Sequence, residues 1–217
     1  MTDYAARRTT MVDTQIRPSD VTKFPIIDAM LSVRREAFVP ADKREAAYVG
    51  DNLDLGGGRV MLDPRTLAKM LDALDVQSDE LVMDLGAAQG YSAAVIARMA
   101  EAVVAVEEVA EWAAEAQDIL MREGADNVIV QEATLSDGAP QHGPYDVIVI
   151  EGAVEHLPEA LTDQLKEGGR MAVLLVEGGL GAVRIGYKID GRMNWRFAFN
   201  AGATVLPGFE RHQAFQL

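Results

Sequence analysis

Residues 81–91 read LVMDLGAAQGY, an apolar run that ends in an acid and passes into a turn of small residues. Val82 and Leu85 flank Met83 and Asp84 in a segment short enough to be a buried parallel strand. Gly86, Ala87, Ala88 and Gly90 then let the backbone come close to a ligand. The following stretch, Ser92 to Ala102, is rich in alanine and carries Val95, Ile96 and Met99 at helical spacing, which predicts a helix. A strand, a tight turn and a helix N-terminus form the usual ligand crevice of a doubly wound sheet. The same turn also occurs where a helix merely packs tightly on a strand.

The acid before the glycines narrows the ligand. A dinucleotide fold seats a pyrophosphate on the helix N-terminus, where an adjacent carboxylate would repel it. Here Asp84 stands at the strand end and Ala88 takes the place of the middle glycine. A cationic ligand suits such a site better than a phosphate, and S-adenosylmethionine carries both an ammonium and a sulfonium. Val103 to Val106 are four apolar β-formers ended by Glu107, 23 residues after Asp84. A nucleotide-binding sheet puts an acid there to accept hydrogen bonds from the ribose hydroxyls. Glu107 is therefore the expected ribose ligand. Its neighbour Glu108 also reads as a solvated acid opening the next helix.

From Leu81 onward strands and helices alternate. The pattern predicts strands at 81–85, 103–106, 127–131, 146–150 and 169–176, with helices at 91–102, 107–123 and 158–166 between them. Two further β-like runs, 182–189 and 195–200, are joined by the turn DGRMN. The expected fold is α/β: a doubly wound, mostly parallel seven-stranded sheet of the class I methyltransferase type, with an antiparallel C-terminal hairpin. Before it, residues 1 to about 25 read as a mobile or loosely helical arm, and Pro25 as a first-turn proline of a helix over 26–35. GDNLDLGGGRVMLDP, with glycines at 56–58, reads as a flexible loop, and Pro64 as the start of a helix over 65–74. The expected division is an N-terminal part with a cofactor-covering loop, 1–64, and a cofactor-binding part, 65–217, forming one compact unit.

Composition sets outer bounds. A chain of 217 residues can bury a full core as one domain. Its net charge of -14 argues against nonspecific binding to nucleic acid or to an anionic membrane, both of which need a basic surface. Zero cysteines exclude disulfides, thiolate metal sites and a thiol nucleophile. Neither a signal peptide nor an apolar run near the ~18 residues of a membrane span is expected, so a cytoplasmic location follows. His142, His156 and His212 show no metal-binding spacing. Of the three, His156, just after the fourth strand, is placed nearest the expected crevice. Ser92 and Ser136 lack the context of a hydrolase nucleophile.

Several segments together resemble the protein-L-isoaspartate O-methyltransferases, enzymes that use S-adenosylmethionine to methylate a carboxylate of damaged aspartyl residues. They are AMLSVRREAFVP, the AY pair at 47–48, Gly56, Gly58 and Pro64, DLGAAQGYSAAVIA, VVAVEE, GPYDVIVI and LPEALTDQLKEGGRM. The resemblance runs over roughly residues 26–175. It implies S-adenosylmethionine as cofactor, S-adenosylhomocysteine as product, and a protein or peptide carrying isoaspartyl residues as partner. It also implies a cofactor cradle of Asp84, Leu85, Gly86, Ala87, Gly90, Tyr91, Glu107, Glu108, Thr134, Leu135 and Glu151.

The chain departs from the family pattern in the loop G-x-G-Q-T-I-S-x-P, which here reads GGGRVMLDP. Arg59 stands for the family's glutamine, and Leu62 for the serine tied to its reaction. Ala133, Thr134 and Leu135 replace a G-D-G, and Glu151 replaces a threonine. The expectation is that adenine lies against Thr134 and Leu135, while Arg59 and Leu62 occupy the catalytic loop, with Arg59 drawing an anionic acceptor. A carboxylate acceptor is already ionised at neutral pH, so transfer needs positioning and exclusion of water more than a base. Two alternatives stay open beside the isoaspartyl reading: a cofactor-binding sensor or interaction module without that activity, and methylation of another acceptor.

Overall fold

The computed structural model describes residues 2–211. Its first helix, α1 (Tyr4–Met11), is capped by Asp3, whose carboxylate accepts from the amide of Ala6 at 3.0 Å. The helical path continues through Val12–Ile16 and a single 3-10 turn at Arg17–Ser19. The segment expected as a mobile or loosely helical arm is thus helical and held in place, because Met11, Val12 and Ile16 bury their side chains in the main core. Pro25 sits in the first turn of α2 (Phe24–Ser32), which begins and ends earlier than the expected 26–35.

The glycine-rich segment is a hairpin and not an open loop. β1 (Leu53–Gly56) pairs antiparallel with β2 (Arg59–Met61), and Gly57 and Gly58 turn the chain between them at φ 61° and 77°. α3 (Pro64–Leu74) follows at once, with Asp63 accepting from the amide of Thr66 at 3.0 Å.

The remaining chain supplies β3 (Leu81–Leu85), α4 (Tyr91–Ala97), β4 (Ala102–Glu107), α5 (Ala110–Arg122), β5 (Val128–Glu132), β6 (Tyr145–Val154), α6 (Glu159–Asp163), β7 (Leu165–Glu177), β8 (Leu180–Ile189) and β9 (Arg192–Asn200). α4 stops short of the expected Ala102 where the Asn127 amide takes the carbonyls of Ala97, Ala100 and Glu101, and Ala102 opens β4. The sheet order is β5-β4-β3-β6-β7-β8-β9, parallel from β5 to β7 and antiparallel at β8 and β9. This is the expected architecture, with its C-terminal hairpin.

Alternation along the central strands buries both faces. Met83, Leu85, Val104, Val106, Ile148 and Ile150 share one core. Val82, Val103, Ala105, Val147 and Val149 share the other with the N-terminal helices. The chain runs outward through β3, β4 and β5, then returns so that β6 lies beside β3. That reversal opens a crevice at the carboxyl ends of the strands.

Candidate functional site

Three acids converge on that crevice: Asp84 of β3, Glu107 at the end of β4 and Glu151 within β6, all buried. Asp84 accepts a hydrogen bond from the Ser92 hydroxyl at 2.6 Å through Oδ2, while Oδ1 has no protein partner. Oε1 of Glu151 is likewise unpartnered. Burial, opposed by the Ser92 hydrogen bond and reinforced by the charge of Glu107, pushes the Asp84 carboxyl up to about 7. Glu151 is also raised, by burial first and then by the Asp84 charge, against the pull of Arg35 and Arg59.

Glu107 is fully engaged. Its Oε2 accepts from the Ala88 amide at 2.8 Å, and its Oε1 from the Val109 amide at 3.0 Å. The Arg59 guanidinium, carried in by β2, adds a forked pair: Nη1 to Oε1 at 2.9 Å and Nη2 to Oε2 at 2.8 Å. Only 2% of Arg59 is exposed, and its guanidinium carbon lies 5.6 Å from the Trp112 ring centroid.

A second side chain closes the crevice from the C-terminal segment. Leu206 is anchored by its amide to the Ala153 carbonyl at 2.9 Å, and the Ala153 amide donates to Thr204 at 3.0 Å. A Cβ on Gly152 would lie 2.6 Å from Leu206, and one on Gly86 would lie 3.2 Å from Nη2 of Arg59. Beside Gly86 remains a cavity of about 10 Å³, lined among others by Leu62, Gly86, Tyr91, Ser92 and Glu151. That is room for about one water, against the roughly 300–1,000 Å³ of small-molecule sites. The free oxygens of Asp84 and Glu151 match a cation in kind. The arrangement as it stands does not fit a nucleoside, because Arg59 holds both oxygens of Glu107 and the space is filled.

The expected site residues distribute as follows. Asp84, Gly86, Ala87, Gly90, Tyr91, Glu107 and Glu151 come together at the crevice. The amides of Gly86 and Ala87 donate to the Val106 carbonyl, and Gly90 caps α4 in the left-handed region. Leu85 packs into the core beneath. Glu108 is half-buried. Thr134 is exposed, and Leu135 is buried in the core with Leu85 and Val106 instead of offering an apolar wall to the cavity. Arg59, expected to draw an anionic acceptor, is buried and ion-paired with Glu107. Leu62 is buried at the cavity, its carbonyl held by Nη2 of Arg35 at 2.7 Å. His156 is exposed, His142 meets Gln131 at 3.1 Å, and His212 lies outside the described residues.

Three contributors were not expected. Ser92 partners Asp84. Arg35 stacks 4.6 Å from the Tyr91 ring centroid and donates to the Ala47 carbonyl at 2.6 Å. Leu206 fills the crevice. Arg35 had a signal in its place within VRREAFVP, and Ser92 in its place two residues after Gly90, but Leu206 had none.

A seven-stranded doubly wound sheet with buried acids on three adjacent strands around a glycine turn defines a protein of the class I methyltransferase fold. The chain belongs to the protein-L-isoaspartate(D-aspartate) O-methyltransferase family, whose model matches residues 6–191. It is 38% identical over 172 residues to protein-L-isoaspartate O-methyltransferase 1 of Rhodopseudomonas palustris, covering 79% of this chain and 70% of the relative. It is 34% identical over 193 residues to the Koribacter versatilis protein-L-isoaspartate O-methyltransferase, covering 89% and 87%. Among solved structures, a protein-L-isoaspartate O-methyltransferase superposes with a TM-score of 0.82 at 24% identity, over 93% of this chain and 66% of that one. A Plasmodium falciparum protein described by the same activity, in complex with S-adenosyl-L-homocysteine, superposes with a TM-score of 0.79 at 17% identity, over 95% and 99%. At those identities the two structures speak to the fold. Leu206 lies beyond the region that the family model matches.

Proposed function

We propose that the chain is an S-adenosylmethionine-dependent O-methyltransferase that esterifies a carboxylate of isoaspartyl or D-aspartyl residues in proteins. The observation that carries this reading is the set of three buried acids on adjacent strands, two of which keep an oxygen with no protein partner. Such oxygens are costly to bury unless a cationic or hydrogen-bonding ligand meets them. The acceptor class follows from the family and from the names of its relatives.

The cofactor, when bound, would supply the electrophilic methyl group, and Asp84, Glu107 and Glu151 are the residues that would hold it. The chain's own contribution is to orient and to exclude water. Arg35 fixes Leu62 and Tyr91 at the crevice wall, and β1 and β2 cover the crevice from outside the main sheet. No helix among the described residues is long and apolar enough to cross a membrane, and a cytoplasmic location is part of the same reading.

One observation favours a second reading, a family member that methylates another acceptor. Leu62 brings a buried hydrocarbon where the family has a serine hydroxyl, so nothing at that position can hydrogen-bond an isoaspartyl carboxylate. Labelled S-adenosylmethionine offered with an isoaspartyl peptide and its ordinary aspartyl counterpart separates the two. A base-labile methyl ester on the isoaspartyl peptide alone is expected. Label on other lysate components, with none on the peptide, selects the second reading, and absence of transfer to any acceptor rejects both.

A further inference from the structure

We propose that Arg59 and Leu206 form an internal plug that occupies the nucleoside position, so that this chain takes its cofactor only when the plug withdraws. The inference rests on the crevice assignment made above and concerns its access. The two hydroxyls of a ribose would need the outward-facing lone pairs of Glu107, and the Arg59 fork already takes one bond from each oxygen. The Ala88 and Val109 amides meet the same carboxylate from the turn and from the start of the next helix. They would hold Glu107 in place whichever partner arrives. Arg59 therefore acts as a stand-in for a ligand, not as part of the scaffold.

Both plug elements lie outside the seven-stranded sheet. β1 and β2 form a separate two-stranded sheet, and the segment carrying Leu206 joins the end of β6 through a bridge between Ala153 and Val205 and through the Phe209 carbonyl, which accepts from the amides of Glu155 and His156 at 3.0 Å each. They are also tied to each other, since the Asn52 amide beside the hairpin donates to the Gly202 carbonyl at 2.7 Å. The hydrogen-bonded pairing of the parallel strands does not depend on this unit, and its withdrawal would uncover the core face of Met83, Leu85, Ile148 and Ile150 against which Leu206 packs. The closed state is incompletely satisfied: Nε of Arg59, Oδ1 of Asp84 and Oε1 of Glu151 are all buried without partners. A plug that leaves those atoms wanting can be displaced by a ligand that satisfies them. Apparent affinity is then the intrinsic affinity reduced by the fraction of molecules with the plug out.

The test is calorimetric titration of the full chain with S-adenosylhomocysteine, alongside hydrogen exchange of residues 53–61 without ligand. Arg59→Gln, which installs the residue of the family loop, should tighten binding by at least about tenfold and speed exchange across the hairpin. Leu206→Ala should act in the same direction, and it carries the comparison if Arg59→Gln fails to fold. Equal affinity in parent and variants, whether strong or immeasurable, overturns the proposal, as does unchanged exchange at 53–61 in Arg59→Gln. A variant that binds tightly yet esterifies no peptide leaves the plug standing and removes the isoaspartyl reading instead.

Discussion

Replacing Arg59 by methionine removes one partner of an ion pair whose side chains are 2% and 0% exposed, leaving the Glu107 charge buried. Breaking a buried pair from one side costs about 3–5 kcal/mol. Two backbone amides still meet Glu107, and methionine refills part of the volume against Trp112, which places the expected loss near the lower end, about 3 kcal/mol. For a chain of this size that corresponds to a melting temperature lower by roughly 6–12 °C. Glu107→Gln should cost a comparable amount, because its amide nitrogen would confront an N–H donor and Arg59 would lose its counter-charge. The double variant removes the orphaned charge, so its loss should fall short of the sum by at least about 2 kcal/mol. Urea unfolding of the four proteins followed by circular dichroism measures each corner of this cycle. Additivity within about 0.5 kcal/mol would refute the inference that the pair is a buried, mutually dependent unit.

Four further outcomes follow from the same geometry. Leu62→Ser should raise ester formation on isoaspartyl peptide, since it restores a hydroxyl at the cavity without adding charge; unchanged rates on every acceptor would show that the side chain at 62 does not select the acceptor. Asp84, raised to about 7 when folded, keeps a proton that the unfolded chain gives up near pH 4, so its stabilising effect is full below pH ~4 and is lost as pH rises toward 7, at up to about 1.4 kcal/mol per pH unit. Asp84→Asn should flatten that fall in a series of unfolding curves between pH 5 and 7, and an unaltered slope would contradict the buried-acid assignment. Arg35→Met removes donors to the Ala47 and Leu62 carbonyls and should destabilise by about 3 kcal/mol in denaturant unfolding, whereas a loss under about 1 kcal/mol would show that other contacts hold that wall. Gly152→Ala places a Cβ against Leu206 and should cost about 1–3 kcal/mol in the parent but little beside Leu206→Ala, and equal costs in both backgrounds would count against Leu206 as the occupant.

The sheet was legible because its strands are short apolar runs ended by acids and small residues, and this pattern carries one meaning in an alternating chain. DLGAAQG located the crevice, and the position of Glu107 at the next strand end located its floor. The C-terminal hairpin was visible in DGRMN, whose Asp190 and Gly191 turn at positive φ between β8 and β9. The expected flexibility of 56–58 was not observed, since glycines at positive φ serve a tight hairpin turn as well as a mobile loop, and only the pairing of Leu53 with Met61 distinguishes the two. The fate of Arg59 was illegible for a deeper reason. Its burial depends on Glu107, 48 positions away, and no local pattern shows that a cation on one element will find an acid on another. Leu206 sits in a segment with no regular periodicity, so its insertion depends wholly on tertiary contacts. The prolines near the start of the chain break long helices and so predict a mobile or loosely helical arm, whereas buried Met11 and Ile16 hold its helical turns to the core.

The most direct measurement is a crystal structure of the parent chain grown with saturating S-adenosylhomocysteine. Ribose hydroxyls are expected on the two oxygens of Glu107, with the Arg59 guanidinium withdrawn from that carboxylate and Leu206 moved away from Gly86 and Gly152. A complex in which the nucleoside binds while Arg59 remains paired with Glu107 and Leu206 stays in place would contradict this expectation.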